Sequence, residues 1–158
     1  STGEAEISDT VCTDCPAHSF SNEGSGIVTA CLCNAGYLGP DGGVCGSCGA
    51  GTYKEVNGSS ACLLCGAGKY SSSEAQTSEA TCSTCSANSY SAQGSGAITE
   101  CKCQAGYTGP DGGTCSACVA GKFKSITGSS VCTLCGAGKY STGLSEVSIS
   151  VCVACPDN

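Results

Sequence analysis

Several residue types that usually build or charge a protein domain are missing or scarce in this 158-residue chain. Trp, Met and Arg are absent, and Leu, Ile, Val and Phe together make only 22 residues. That share lies below the roughly 20% at which a chain is expected to form an ordinary hydrophobic core. Hydrophobicity alone would leave such a chain disordered.

The charge balance and the lack of long apolar runs exclude further classes of protein. All six basic residues are Lys, the acidic residues number 13, and the formal net charge is −7. Without a basic surface for phosphates, we expect no binding of nucleic acid. No apolar run approaches the roughly 20 residues of a membrane-spanning helix. Because the chain opens on a polar stretch rather than a signal peptide, we expect a mature or trimmed chain.

Cysteine is what the chain has in abundance, with 18 residues. This content is typical of a scaffold held by disulfides, which persist in oxidising compartments. Closing a loop of roughly 15 residues stabilises a fold by about 3 kcal/mol. We therefore predict a secreted or extracellular-surface protein in which cross-links replace the core.

The cysteines recur with a period of 70 residues. Residues 11–80 and 81–150 are identical at 37 of 70 aligned positions, without a gap. Such periodicity predicts an array of mutually supporting units. We assign residues 12–81 and 82–151 to two cysteine-rich repeats, residues 1–11 to the tail end of a preceding repeat unit and residues 152–158 to the start of a third. This register leads us to expect that the chain is a segment of a longer array.

Every aromatic ring follows a cysteine at a fixed distance. One interpretation is that each ring covers a disulfide as a miniature core, and the alternative is a row of rings that binds a ligand. The rings are Phe20, Tyr37, Tyr53, Tyr70, Tyr90, Tyr107, Phe123 and Tyr140.

Turn signals such as Gly-Pro-Asp-Gly-Gly at 39–43 and 109–113 separate short β-prone segments. The predicted fold class is small disulfide-rich tandem modules, an elongated array of short two-stranded β-hairpins and turns with little or no helix.

Two motifs carry a family resemblance over nearly the whole chain. Cys-Gly-Ala-Gly-Lys-Tyr at 65–70 and 135–140 resembles the CxxCxxGxY signature of ephrin-receptor-like cysteine-rich repeats. Residues 31–45 and 101–115 resemble the closing half of an EGF-like module. More distantly, the chain is similar to tumour-necrosis-factor-receptor modules and to CxxC-rich surface antigens of protists. The resemblance implies extracellular, non-catalytic modules used for spacing, adhesion or protein recognition.

Three disulfide patterns are compatible with these spacings. An interleaved pattern joins Cys12 with Cys31 and Cys48 with Cys65, whereas a mixed EGF-like pattern keeps Cys33 with Cys45. We favour a sequential pattern, with Cys12 and Cys155 paired outside this segment, and we rely most on Cys33–Cys45 and Cys103–Cys115. Its other pairs are Cys15–Cys31, Cys48–Cys62, Cys65–Cys82, Cys85–Cys101, Cys118–Cys132 and Cys135–Cys152.

Catalytic and metal-binding interpretations are weak. Zinc sites use four thiolates at a time, which the Cys-x-Cys pairs fit poorly, and no βαβ pattern accompanies the CxxC pairs as in a redox enzyme. The single histidine, His18, is replaced by Asn88 and Asn158 in the other copies. We therefore predict no enzyme activity, no cofactor and no metal.

Asn57-Gly58-Ser59 is an acceptor motif for N-glycosylation, and its copy carries Thr127 instead of Asn. Our leading functional prediction is an extracellular structural protein, part of a filament, surface coat or adhesive stalk. Its partners would be further repeats of the same chain or other copies. The alternative is the ectodomain of a cell-surface receptor or adhesion protein that binds a protein ligand through a patch present in one repeat only.

Overall fold

The computed structural model describes residues 12–156, so the predicted tail of a preceding unit at 1–11, and residues 157–158 of the third unit, lie outside the described residues. Between residues 12 and 156 the chain forms sixteen two-residue strands, which pair as eight antiparallel hairpins. The pairs are β1 (Ser19–Phe20) with β2 (Leu32–Cys33), β3 (Tyr37–Leu38) with β4 (Gly46–Ser47), β5 (Thr52–Tyr53) with β6 (Leu63–Leu64), β7 (Lys69–Tyr70) with β8 (Ser83–Thr84), β9 (Ser89–Tyr90) with β10 (Lys102–Cys103), β11 (Tyr107–Thr108) with β12 (Ser116–Ala117), β13 (Lys122–Phe123) with β14 (Thr133–Leu134), and β15 (Lys139–Tyr140) with β16 (Val153–Ala154).

One disulfide closes each hairpin and defines a module. The first cysteine precedes the first strand by four residues, and the second cysteine stands immediately before the second strand. Modules 1 to 8, as found within the described range, are Cys15–Cys31, Cys33–Cys45, Cys48–Cys62, Cys65–Cys82, Cys85–Cys101, Cys103–Cys115, Cys118–Cys132 and Cys135–Cys152. The division into units 12–81 and 82–151 stays a prediction. The Cys65–Cys82 bond of module 4 crosses the boundary between these two units.

The predicted fold class of small disulfide-rich tandem modules is confirmed. Helical structure in the described part is limited to three-residue 3₁₀ turns at Val28–Ala30, Glu79–Thr81, Ile98–Glu100 and Ile149–Val151. Strands of two residues cannot bury a sheet face, so each hairpin depends on its disulfide and on neighbouring modules for stability.

Sulfur forms most of the interior. Among the described residues, the buried apolar side chains are eleven cysteines together with Tyr53 and Phe123. Every Leu, Ile and Val of that range is exposed or half-buried. The aliphatic residues therefore do not form a core, and disulfides occupy the place where such a core would lie.

A tight turn sets the start of each hairpin. The third residue after each module's first cysteine has a positive φ of 60° to 82°. The N–H of the residue that follows it donates to the carbonyl three positions before that donor, as in a type II turn. Glycine adopts this conformation at no steric cost, and Asn and His tolerate it better than most residues. The positions are His18, Gly36, Gly51, Gly68, Asn88, Gly106, Gly121 and Gly138.

Candidate functional site: the joints between modules

A recurrent backbone joint links consecutive modules. At five junctions, a backbone hydrogen bond of 2.7 to 3.0 Å joins one module to the next. The donor is the amide of the positive-φ turn residue in the earlier module, and the acceptor is the carbonyl of the residue directly after the aromatic residue of the later module. Because the donor and the acceptor are both backbone groups, the joint can be kept while the side chains change. The five bonds run from Gly36 to Lys54, Gly51 to Ser71, Gly68 to Ser91, Gly106 to Lys124 and Gly121 to Ser141.

A second bond returns across each of these joints. A loop amide of the later module donates to the carbonyl of the earlier module's first cysteine, at 2.7 to 2.9 Å. The positive-φ residue and the cysteine of one module are thus both held by the next, so each joint is fixed at two points. The return bonds run from Gly58 to Cys33, Ala75 to Cys48, Gly94 to Cys65, Gly128 to Cys103 and Ser145 to Cys118.

Modules two places apart also touch. A Cβ atom built on Gly51 would collide with the backbone carbonyl oxygen of Gly94, and one built on Gly36 would collide with that of Ala75. Positive φ and close approach therefore both require glycine at these positions. Because module 2 contacts module 4 and module 3 contacts module 5, these modules are held by contacts beyond those to their immediate neighbours.

Two buried lysines hold the joints that follow the CxC modules. Lys54 is only 1% exposed, and its Nζ donates to the carbonyls of Tyr37, at 2.6 Å, and Gly58. Lys124 repeats this arrangement with Tyr107 and Gly128. Burial lowers the pKa of Lys54, and the nearby charge of Asp41 opposes that shift. Each ammonium group ties a strand of one module to a loop of the next.

Sequence reasoning did not identify this role of the lysines. The available signal was that Lys54 recurs as Lys124 in a chain with only six lysines. A lysine is normally solvent-exposed, however, and the carbonyls that receive its ammonium group leave no trace in the side-chain pattern.

The aromatic rings predicted to cover disulfides differ in how deeply they are buried. Tyr53 packs with the sulfurs of Cys65 and Cys82 in one buried cluster, and Phe123 is similarly buried. Phe20, Tyr90 and Tyr140 are more than a third exposed. That each ring covers a disulfide stays a prediction, and these three rings are too exposed to form a closed miniature core. Tyr70 and Tyr107 are half-buried.

Tyr37 has a different partner from the other rings. Its ring stacks on the imidazole of exposed His18, with 4.1 Å between ring centroids and 6° between the ring planes. His18 also occupies the positive-φ turn position that Asn88 fills in the second repeat.

The remaining predicted site residues lie at the surface. Asn57 is exposed, and its Oδ1 accepts a hydrogen bond from the Ala35 amide at 2.8 Å. This hydrogen bond uses the side-chain oxygen, so attachment of a glycan to the side-chain nitrogen is compatible with it. Cys12 and Cys155 are exposed, and each is outside the eight disulfides found between residues 12 and 156.

One surface patch distinguishes the second repeat from the first. Val119, Lys122 and Val131 line a shallow depression of about 230 Å³ beside the Cys118–Cys132 disulfide. The first repeat has Gly49, Thr52 and Ala61 at the corresponding positions, so it lacks the apolar side chains of this depression.

Residues 36–82, which include all of modules 3 and 4, match the family described as tyrosine-protein kinase ephrin type A/B receptor-like. Residues 36–82 are thus similar to ephrin-receptor-like cysteine-rich repeats, and the eight disulfides in tandem are consistent with repeats of that kind. No curated protein matches the chain significantly. Ephrin-receptor-like repeats are extracellular modules and are typically non-enzymatic.

A metal-binding cluster and a membrane-spanning helix are both absent from the described part of the chain. Residues 12–156 contain no cluster of three or more His, Cys, Asp or Glu side chains placed to bind a metal ion. Over the same range, no helix has the length and apolar character that crossing a bilayer requires.

Proposed function

We propose that the chain is a structural scaffold segment, a run of extracellular modules that forms part of a filament, surface coat or adhesive stalk and that catalyses no reaction. The observation that carries this proposal is the recurrence of one two-point backbone joint at five junctions. A joint that depends on backbone groups can be repeated indefinitely, and repeated surfaces allow identical contacts to propagate between chains.

The proposed role makes a statement about shape that scattering can test. A compact protein of this length has a radius of gyration of about 15 Å. An array in which modules touch only near neighbours is expected to exceed that value clearly in small-angle X-ray scattering. Electron micrographs are expected to show rods or assemblies. Compact, isolated particles in both measurements would contradict the scaffold role.

The second candidate is a receptor or adhesion ectodomain, which the depression at Val119, Lys122 and Val131 favours because it occurs in one repeat only. The double variant Val119→Gly, Val131→Ala restores the residues of the first repeat. Loss of binding to a cell surface that the parent chain stains would support the receptor role, and unchanged binding would count against this patch. In a complete coding sequence, a membrane span and signalling domain favour the receptor, and further 70-residue units favour the scaffold.

A further inference from the structure

The chain contains pairs in which Asn or Asp is followed directly by glycine. In such a pair the glycine amide nitrogen can attack the side-chain carbonyl before it, because glycine has no Cβ to hinder the approach. Near neutral pH the carboxamide of Asn is the more reactive partner, since an ionised carboxylate is a poor electrophile. The pairs are Asn57-Gly58, Asp41-Gly42 and Asp111-Gly112.

In all three pairs, the glycine amide that would attack is already hydrogen-bonded to the preceding module. An amide nitrogen becomes a nucleophile only when it loses its hydrogen, so this bond must break before the attack. The bonds run from Gly58 to the Cys33 carbonyl, from Gly42 to that of Cys31 and from Gly112 to that of Cys101, at 2.7 to 2.8 Å.

The reactive pair Asn57-Gly58 is part of the joint between modules 2 and 3. The Asn57 Oδ1 accepts from the Ala35 amide at 2.8 Å, and the Gly58 carbonyl accepts from the buried Lys54 ammonium. Together with the bond from Gly58 to Cys33, three hydrogen bonds hold the pair in this joint. The Asn57 side chain is nevertheless exposed, so water can reach it once the joint opens.

We propose that Asn57 is a site of spontaneous deamidation, that opening of the joint between modules 2 and 3 controls its rate, and that the reaction prevents the joint from closing again. The Gly58 nitrogen bonds to the Asn57 Cγ, the bond from Cγ to the side-chain nitrogen breaks, and ammonia leaves with the proton that the amide gave up. Water then opens the cyclic succinimide at either carbonyl, which leaves aspartate or isoaspartate. This chemistry is independent of the scaffold function.

The isoaspartate product changes the backbone of the joint. It carries the main chain through the former side chain, which adds one backbone atom between positions 57 and 58. Gly58 is then displaced from both of its partners, the Cys33 carbonyl and the Lys54 ammonium. The second repeat has Thr127 before Gly128, so its corresponding joint cannot react in this way.

Deamidation can be followed by peptide mapping with mass spectrometry during incubation at neutral pH. All proteins are made in the periplasm of a bacterial host that attaches no N-glycans, so disulfides form and Asn57 carries no carbohydrate. In the disulfide-bonded parent, Asn57 should deamidate at least about tenfold more slowly than in the same chain after reduction and alkylation, because only the opened joint reacts. Equal rates would overturn the proposal.

Lys54→Met tests whether this particular joint controls the rate. The variant should deamidate at Asn57 at least about fivefold faster, since it loses the bond to the Gly58 carbonyl. Loss of the Lys54 charge alone would slow the reaction, because a nearby cation favours the deprotonated amide. Lys124→Met is the matched control in the joint between modules 6 and 7, and it should leave Asn57 unchanged. Unchanged deamidation in Lys54→Met, or equal acceleration in Lys124→Met, would overturn the control by this joint.

A second arm moves the reactive pair into the other repeat. Thr127→Asn creates an Asn-Gly pair in the joint between modules 6 and 7. In that chain, Lys124→Met should accelerate deamidation at position 127 and leave Asn57 unchanged, so the test does not depend on folding of Lys54→Met. Deamidation at position 127 that is insensitive to Lys124→Met would contradict the proposal.

Hydrogen exchange of the purified products tests whether the joint stays open. The reporter is the Gly36 amide, which donates to the Lys54 carbonyl at 2.9 Å. It should exchange at least about fivefold faster in the isoaspartate form than in the parent. Asn57→Asp is the control, because it keeps the backbone length and an oxygen that can accept from Ala35, and its acceleration should be smaller. Parent-like exchange in the isoaspartate form, or an equal acceleration in Asn57→Asp, would overturn the claim that the added backbone atom holds the joint open.

Discussion

Replacing Gly51 by Ala should destabilise the contacts between modules far more than the same replacement at Gly121, its counterpart in the second repeat. Both glycines have a φ of 77°. An added Cβ at Gly51 would collide with the Gly94 carbonyl oxygen and lie 2.9 Å from the Ser95 carbonyl carbon, whereas at Gly121 it meets no described atom within 4 Å. The pair therefore separates backbone strain from the contact between modules 3 and 5.

The expected magnitudes follow from these two costs. A left-handed conformation costs an L-residue about 1–2 kcal/mol, and this cost applies to both variants. Overpacking against backbone adds about 1–3 kcal/mol at Gly51 alone. We therefore expect a destabilisation of about 1–2 kcal/mol for Gly121→Ala and about 2–5 kcal/mol for Gly51→Ala.

Amide hydrogen exchange followed by mass spectrometry is the suitable assay, because a multi-module array does not unfold in one two-state step. The matched reporters are the Lys54 amide, bonded to the Gln76 carbonyl, and the Lys124 amide, bonded to that of Glu146. Gly51→Ala should accelerate exchange of the Lys54 amide, and Gly121→Ala exchange of the Lys124 amide, and the first acceleration should be at least about fivefold larger. The extra cost at Gly51 is at least about 1 kcal/mol, and 1.4 kcal/mol corresponds to a factor of ten. Equal acceleration would refute the contact between modules two places apart.

Three further outcomes are expected. Lys54→Met should destabilise the joint between modules 2 and 3 by about 1–3 kcal/mol, because it leaves buried carbonyls unsatisfied. Burial lowers the Lys54 pKa from 10.5, so just below pH 10.5 the unfolded state binds more protons than the folded state does. The stability of the parent relative to the variant should therefore increase as the pH rises towards 10.5, and calorimetry of both proteins at several pH values checks both expectations. Tyr53→Ala should cost about 3–5 kcal/mol, against less than about 1 kcal/mol for the 52% exposed Tyr90, as seen in local hydrogen exchange of the following module. Asn57→Gln should abolish a glycosidase-sensitive mass shift in protein from a secretory host, and an unshifted parent would contradict glycosylation at Asn57.

The cysteine spacing was enough to predict the hairpins. Each loop between sequential cysteines contains an aromatic ring and turn residues, and strands formed on either side of these loops, as at Thr52–Tyr53 and Leu63–Leu64. The pairs that the structure joins are those of the sequential pattern. Chemical mapping of these bonds still has to decide among the three patterns.

The joints could not be predicted, because they consist of backbone groups. No side-chain pattern indicates that Gly51 donates to Ser71 or that Gly94 donates to Cys65. A partial signal existed at the turn position, where His18 and Asn88 alternate with glycine, and it indicates a residue of positive φ. Ring burial depends on what packs over each hairpin, and a fixed spacing from cysteine does not determine that.

The most direct test of the account is mass-spectrometric mapping of disulfides in the unreduced native chain. Bonds between cysteines consecutive along the chain, from Cys15–Cys31 to Cys135–Cys152, are the result we expect. A peptide joining Cys48 to Cys65, or a majority of free thiols, would show that sulfur does not hold these modules in the way described.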